Sequence, residues 1–230
     1  MKNFYVCPST DPVDPTNENY EAELIKYASL IENAGADFLH ADIMDGKFVE
    51  RKTFDAAVLK KIRFNTTLPL DVHLMIDYSK QQLKEFINSG ANIITLHIEN
   101  FIKKNKLKKC KLKKAMKLIK KSNCLVGLSL KPQTEEKFVF KFLKYIDLVL
   151  IMSVEPGKSG QKFIESTYER VKNFASLKET NNFNFLIEVD GGITPEISKK
   201  LKSFGADAVV SGSYIFKADL KEEAINSFKN

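Results

Sequence analysis

Eight short runs rich in aliphatic and β-branched residues alternate with helical patterns along the chain, and this alternation limits the fold more than any other feature. The runs are FYVCP (4–8), FLHADI (38–43), PLDVHLM (69–75), NIITLHI (92–98), LVGLSL (125–130), LVLIMS (148–153), FLIEV (185–189) and AVVSG (208–212). Helical patterns lie near 20–34, 55–63, 79–89, 108–121, 135–143, 165–178, 195–204 and 218–229. Serial strand–helix units build a parallel sheet. Eight of them predict an α/β fold of the (β/α)8 TIM-barrel type. A doubly wound open sheet is the alternative, but it normally has fewer strands. Three connections repeat one design: NAGADF (33–38), NSGANI (88–93) and SFGADAV (203–209). In each, Gly35, Gly90 or Gly205 supplies the left-handed residue that ends a helix shortly before a strand. The chain has 230 residues and no low-complexity linker, so 1–230 is read as a single barrel domain.

The net charge of +7 invites a nucleic-acid reading, but its distribution opposes one. Residues 103–121 hold eleven lysines and no acid; without them 25 basic residues face 29 acidic ones, a remainder of −4. Within that segment Leu112, Ala115, Met116 and Ile119 recur at helical spacing. They mark a buried stripe under a lysine-covered, solvated face. The segment has no aromatic side chain to stack on bases, so no nucleic-acid partner is expected. No apolar run approaches the ~20 residues of a membrane span. The N-terminal MKNFYVCPSTD lacks a signal-peptide core, so a cytoplasmic protein with no membrane partner is expected. Cys7, Cys110 and Cys124 are an odd number without CxxC spacing and read as reduced thiols.

Side chains at the C-terminal ends of barrel strands form the active site in this architecture. All three histidines, His40, His73 and His97, fall at such ends, with Asp42 on the second strand and Asp190 after the seventh. In a strand, residues i and i+2 share a face, so His40 and Asp42 converge on one spot, and Gly46 allows a sharp exit. Two imidazoles and two carboxylates suit a divalent cation such as zinc, with manganese or iron as alternatives. His40, Asp42, His73 and Asp190 are the chosen set; His97 either contacts substrate or supports a ligand. Across the same rim three Gly-rich loops follow successive strands: EPGKSGQKF, DGGI and SGSYIF. Gly157, Gly160, Gly191, Gly192, Gly212 and Ser213 would bring backbone N–H groups together as an anion cradle. Met44, Met75 and Met152 follow strand ends and would give the site a polarizable wall.

HADIMDGKFV, LDVHLMI, ITLHIE, GLSLKPQT, IMSVEPGKSGQKF, IEVDGGI and SGSYIF resemble, in order and spacing, the signature segments of the ribulose-phosphate 3-epimerases. The resemblance runs from about residue 4 to residue 216. It implies a (β/α)8 enzyme, an isomerase that interconverts D-ribulose 5-phosphate and D-xylulose 5-phosphate in the pentose phosphate pathway. It also implies a metal, most often zinc, on His40, Asp42, His73 and Asp190, and no organic cofactor. Asp42 and Asp190 would be the acid–base pair, one on each face of the carbon that inverts through an enediolate. Ser9 would contact substrate, as would His73, Asp190 and the three methionines. Phosphate would lie at Gly157, Lys158, Ser159 and Gly160, with Gly191, Gly192, Gly212 and Ser213. A homo-oligomer is expected. The chain departs from the family pattern at Thr10-Asp11-Pro12, which follow Ser9 where apolar residues are usual. It departs again at Lys47, at Glu50-Arg51, and at Lys158-Ser159 in the phosphate loop. These changes bear on substrate preference. An epimerase of a six-carbon ketose phosphate such as allulose 6-phosphate is one alternative. A non-catalytic phosphosugar-binding barrel is another, although that role would need no acid–base pair.

Overall fold

The computed structural model describes residues 4–158 and 160–229. Eight parallel strands follow one another around a barrel: β1 (Tyr5–Pro8), β2 (Leu39–Met44), β3 (Leu70–Met75), β4 (Ile93–His97), β5 (Leu125–Leu130), β6 (Leu148–Met152), β7 (Leu186–Asp190) and β8 (Ala208–Ser211). From β2 to β8 each strand pairs with the next, and β8 pairs with β1. The seam between β1 and β2 closes at one bridge, where Thr10 N–H donates to His40 O at 2.9 Å.

Helices α1 (Tyr20–Asn33), α2 (Ala56–Phe64), α3 (Lys80–Asn88), α4 (Lys109–Lys120), α5 (Lys137–Phe140), α6 (Thr167–Thr180) and α7 (Pro195–Ser203) connect the strands, and α8 (Ser213–Lys217) and α9 (Lys221–Lys229) follow β8. Local chemistry sets several boundaries. Asp55 caps α2, Ser79 caps α3, and Thr194 caps α7 ahead of Pro195. Gly35, Gly90 and Gly205 take φ of +79°, +95° and +102°, as their position after a helix requires. No helix among the described residues is long and apolar enough to cross a membrane.

Alternation along the strands divides the core in two. Leu39, Ala41 and Ile43 of β2, with their counterparts on the other strands, pack outward against the helices. Inside the barrel, Cys7, Ile93, Leu148, Leu150, Met152, Ala208 and Val210 form a smaller apolar cluster. Gly127 belongs to this interior, because a Cβ there would stand 2.0 Å from Thr95 Oγ1.

Three expected elements differ from their sequence pattern. The helix expected over 135–143 stops at Phe140; later turns close as i to i+3 bonds, including Tyr145 N–H to Phe142 O at 2.7 Å. The last helix begins at Lys221 rather than 218, because Ala218 is extended after α8 (φ −65°, ψ 138°). The lysine segment does not belong wholly to a helix. Ile102–Lys103 pairs antiparallel with Lys106–Leu107 around Lys104 and Asn105, both at positive φ, and α4 starts only at Lys109.

Within α4 the expected stripe is buried: Leu112, Ala115, Met116 and Ile119. Its lysines lie outside, and lysines at its first turn oppose the helix dipole. Packing of the stripe therefore has to hold this helix. Exchanging exposed Lys108, Lys109, Lys113 and Lys114 for Gln should leave turnover almost unchanged and shift stability by about 0.5 kcal/mol or less per site. A nucleic-acid complex at physiological salt, about 0.15 M, that disappears on these exchanges would contradict the reading of a merely solvated face.

Candidate active site

The polar side chains inside the barrel are arranged by strand period and strand register together. β2 carries His40 and Asp42, β3 carries Asp71 and His73, and β7 carries Glu188 and Asp190, each pair separated by two residues. Parallel pairing sets His40 beside Asp71 and Asp42 beside His73. The result is a deep tier of His40, Asp71 and Glu188 and an upper tier of Asp42, His73 and Asp190.

His40 joins the tiers. Its Nδ1–H donates to Asp71 Oδ2 at 2.5 Å, which leaves Nε2 facing Asp42 Oδ1 at 3.5 Å. Among the described residues Nε2 has no hydrogen-bond partner, although the imidazole is fully buried. Asp42 Oδ2 accepts from Ser9 Oγ at 2.5 Å, and Asp42 Oδ1 lies 3.1 Å from His73 Nδ1. One ligand atom from each of His40, Asp42, His73 and Asp190 falls within 4.8 Å of the others. His97 stands behind His73, with the two Nε2 atoms 2.9 Å apart, and its Nδ1 meets Glu99 Oε2 at 3.0 Å.

The two upper-tier acids are driven in opposite directions. Burial raises Asp190, the Asp42 charge raises it further, and its carboxyl is pushed up to about 8. Burial would raise Asp42 too, but the His40 charge beside it holds it well below the usual carboxylate range. His40 loses charge preference through burial, yet Asp71 and Asp42 bring it well above the usual imidazole value. Burial takes His73 down to about 4. In the deep tier, burial and the Asp71 charge push Glu188 up. Two neighbouring carboxyls, one held ionised and one held neutral, are a recurrent acid–base arrangement.

A cavity of about 1200 Å³ opens above this cluster. Ser9, Asp42 and Asp190 line it beside Met44, Met75 and Met152, the last residues of their strands. Gly157, Lys158, Gly160, Gly191, Gly192, Gly212 and Ser213 line its other side, so the expected phosphate loops share one space with the acids. Ser159 lies outside the described residues. His40 and His73 are fully buried beneath the cavity rather than on its wall. Gly192 shows why a loop residue must lack a side chain here. Its φ is +65°, and a Cβ would stand 2.7 Å from Gln161 O and 2.8 Å from Phe163 N.

The structure adds residues that the sequence pattern did not select. Asp71 orients His40, Glu99 holds His97, and the Ser153 N–H donates to Asp190 O at 2.8 Å. The signal for Asp71 was present in the strand period, since it sits two before His73 on β3, whereas Glu99 lies in the turn after β4 and had no such signal. Two departures from the family pattern meet as one ion pair. Arg51 Nη1 donates to Asp11 Oδ1 at 2.6 Å and Nη2 to Asp11 O at 2.7 Å. Asp11 N–H in turn donates to Ser9 Oγ at 2.8 Å, so the pair steadies the serine that donates to Asp42.

Comparison with known proteins shows which family the chain resembles along most of its length. The model of the ribulose-phosphate 3 epimerase family matches residues 15–216. The chloroplastic ribulose-5-phosphate-3-epimerase of Arabidopsis thaliana is 38% identical over 208 residues, covering 90% of this chain and 72% of its own length. Ribulose-phosphate 3-epimerases of Aquifex aeolicus and Helicobacter pylori are 40% and 35% identical, covering 80% and 91% of this chain and 79% and 93% of their own. Among solved structures, KGPDC from Streptococcus mutans superimposes with a TM-score of 0.65 at 13% identity, covering 99% of this chain and 96% of its own. The likeness concerns the fold alone.

Proposed function

As a member of the ribulose-phosphate 3-epimerase family, to which this chain belongs, the protein is an isomerase acting on a small phosphosugar, and we propose that it interconverts D-ribulose 5-phosphate and D-xylulose 5-phosphate. The observation that carries this reading is the Asp42–Asp190 pair: two carboxyls from β2 and β7 brought together at the floor of one cavity. Inverting a carbon next to a carbonyl requires removal of its proton on one face and return on the other, with an enediolate between. Asp42, drawn towards its ionised form, suits the proton acceptor and Asp190, drawn towards its neutral form, the donor, and the reverse reaction exchanges the roles. Ser9 Oγ holds Asp42 in place, and Ser153 holds the backbone of Asp190.

The donor set fits a divalent cation. His40 presents a buried, unpartnered Nε2, and its Nδ1–H is committed to Asp71, as in carboxylate–histidine pairs behind metal ligands. His40, Asp42, His73 and Asp190 would hold the ion; two nitrogens and two oxygens suit zinc, with manganese or iron as alternatives. When bound, it would supply positive charge beside the oxygens that become anionic. The backbone of Gly157, Gly160, Gly191, Gly192 and Gly212, with Lys158 and Ser213, would receive the phosphate. The methionines would pack against the sugar carbons.

A coupled assay of the zinc-reconstituted protein on D-ribulose 5-phosphate and D-allulose 6-phosphate tests the reading. We expect kcat/KM to favour the pentulose by ~10-fold or more, the scale of a group missing from or added to a fitted pocket. Preference for the hexulose would reassign the substrate, and turnover of neither would leave a binding role in place of catalysis.

A further inference from the structure

Glu99 has no place in proton transfer, yet every contact it makes bears on a proposed ligand. It lies in the short turn Ile98–Phe101 that follows β4. Its Oε1 accepts the Lys131 N–H at 2.7 Å and the Thr134 hydroxyl. The Lys131–Thr134 segment is itself fixed by buried Arg170, which donates to Lys131 O at 3.1 Å and Thr134 O at 2.9 Å. That leaves Oε2 for His97 Nδ1, at 3.0 Å.

The hydrogens can be assigned along this row. An ionised carboxylate only accepts, so His97 carries a hydrogen on Nδ1. With its hydrogen on Nδ1, His97 offers a lone pair at Nε2, which stands 2.9 Å from His73 Nε2. Two imidazole nitrogens at that distance share one hydrogen, so His73 carries it on Nε2. His73 Nδ1 is left with a lone pair aimed at Asp42 Oδ1, 3.1 Å away. A lone pair and a carboxylate oxygen repel at that distance unless a cation lies beside both.

We propose that Glu99 is a positioning residue: acting through His97, it fixes the Nε2–H tautomer of His73 and thereby makes Nδ1 the metal-binding atom. This rests on the metal site proposed above. The ring of Phe48 packs against that of His97, with centroids 4.7 Å apart.

The test is Glu99→Gln, which changes polarity without changing size. Lys131 N–H and Thr134 O–H both donate at the Oε1 position, so the amide oxygen must sit there and the amide NH2 must face His97 Nδ1. The hydrogen on His97 then moves to Nε2 and that on His73 to Nδ1, which closes the ligand atom. Zn²⁺ affinity, read by competition with a chromophoric chelator, should fall ~10–100-fold. The thermal midpoint of the metal-free protein should stay near wild type. The chain has only three histidines, so side-chain ¹⁵N spectra can be assigned. Zinc-loaded wild type should show His73 protonated at Nε2, and metal-free Glu99→Gln should show it protonated at Nδ1. Equal zinc affinity in the two proteins, or wild-type His73 protonated at Nδ1 with zinc bound, overturns the inference while leaving the metal site standing. Failure of wild type itself to bind zinc overturns both.

Discussion

Replacing either upper-tier acid by its amide, Asp42→Asn or Asp190→Asn, is expected to abolish measurable epimerisation. Loss of a general acid or base costs ~10²–10⁴-fold in turnover, and each substitution also weakens a proposed metal ligand. The amide preserves volume, and in Asp42→Asn the remaining carbonyl oxygen could still accept from Ser9, so collapse of the site is not the expected cause. Hydrogen exchange separates the two roles. A variant left with one working base can still wash label from C3 on one face without completing inversion. Coupled assays beside mass measurement of exchange at C3 give both readings. Retention of more than about a tenth of wild-type turnover by either variant would remove that aspartate from the acid–base pair.

Metal removal should have an effect of similar size. Treatment with a chelator should suppress turnover, and added zinc, manganese or iron should restore it. His40→Ala and His73→Ala should each strip metal from the purified protein, as read by elemental analysis. His97→Ala touches the ion only through His73, and should weaken binding by no more than ~10–100-fold. The two ligand variants differ in risk to the fold. Removing His40 leaves Asp71 without its hydrogen-bond donor in the deep tier beside Glu188, whereas removing His73 frees a carboxylate that still accepts from Ser9. Destabilisation should therefore be larger for His40→Ala, and thermal unfolding would register it. Equal metal loss in all three variants would mean that the ligand set is wrongly drawn.

The alternation of eight strand patterns with helical ones determined the barrel, because strand and helix periods are local properties of a few consecutive residues. Locality also explains why Gly35, Gly90 and Gly205 were legible as helix ends, and why the Leu112-to-Ile119 stripe was legible under its lysines. The convergence of His40 with Asp42 belongs to the same class, since a two-residue step in one strand fixes a shared face. Placement at the C-terminal ends of strands pointed to His73 and Asp190, and three glycine-rich loops after successive strands pointed to an anion cradle. The family resemblance then added roles to them. What the tertiary structure decided depends on which strand lies beside which, and at what offset. The β2–β3 register put Asp71, otherwise an ordinary strand acid, against His40 Nδ1, and so oriented the imidazole. Placing β4 beside β3 and β5 set His97 behind His73 and brought the Lys131–Thr134 loop down onto Glu99. The Asp11–Arg51 pair, forty residues apart, exists only because β1 and β2 close the barrel seam. The opposite protonation of Asp42 and Asp190 has the same origin. A carboxyl's charge state follows from the burial and charges around it, and those are properties of the assembled barrel rather than of any stretch of chain.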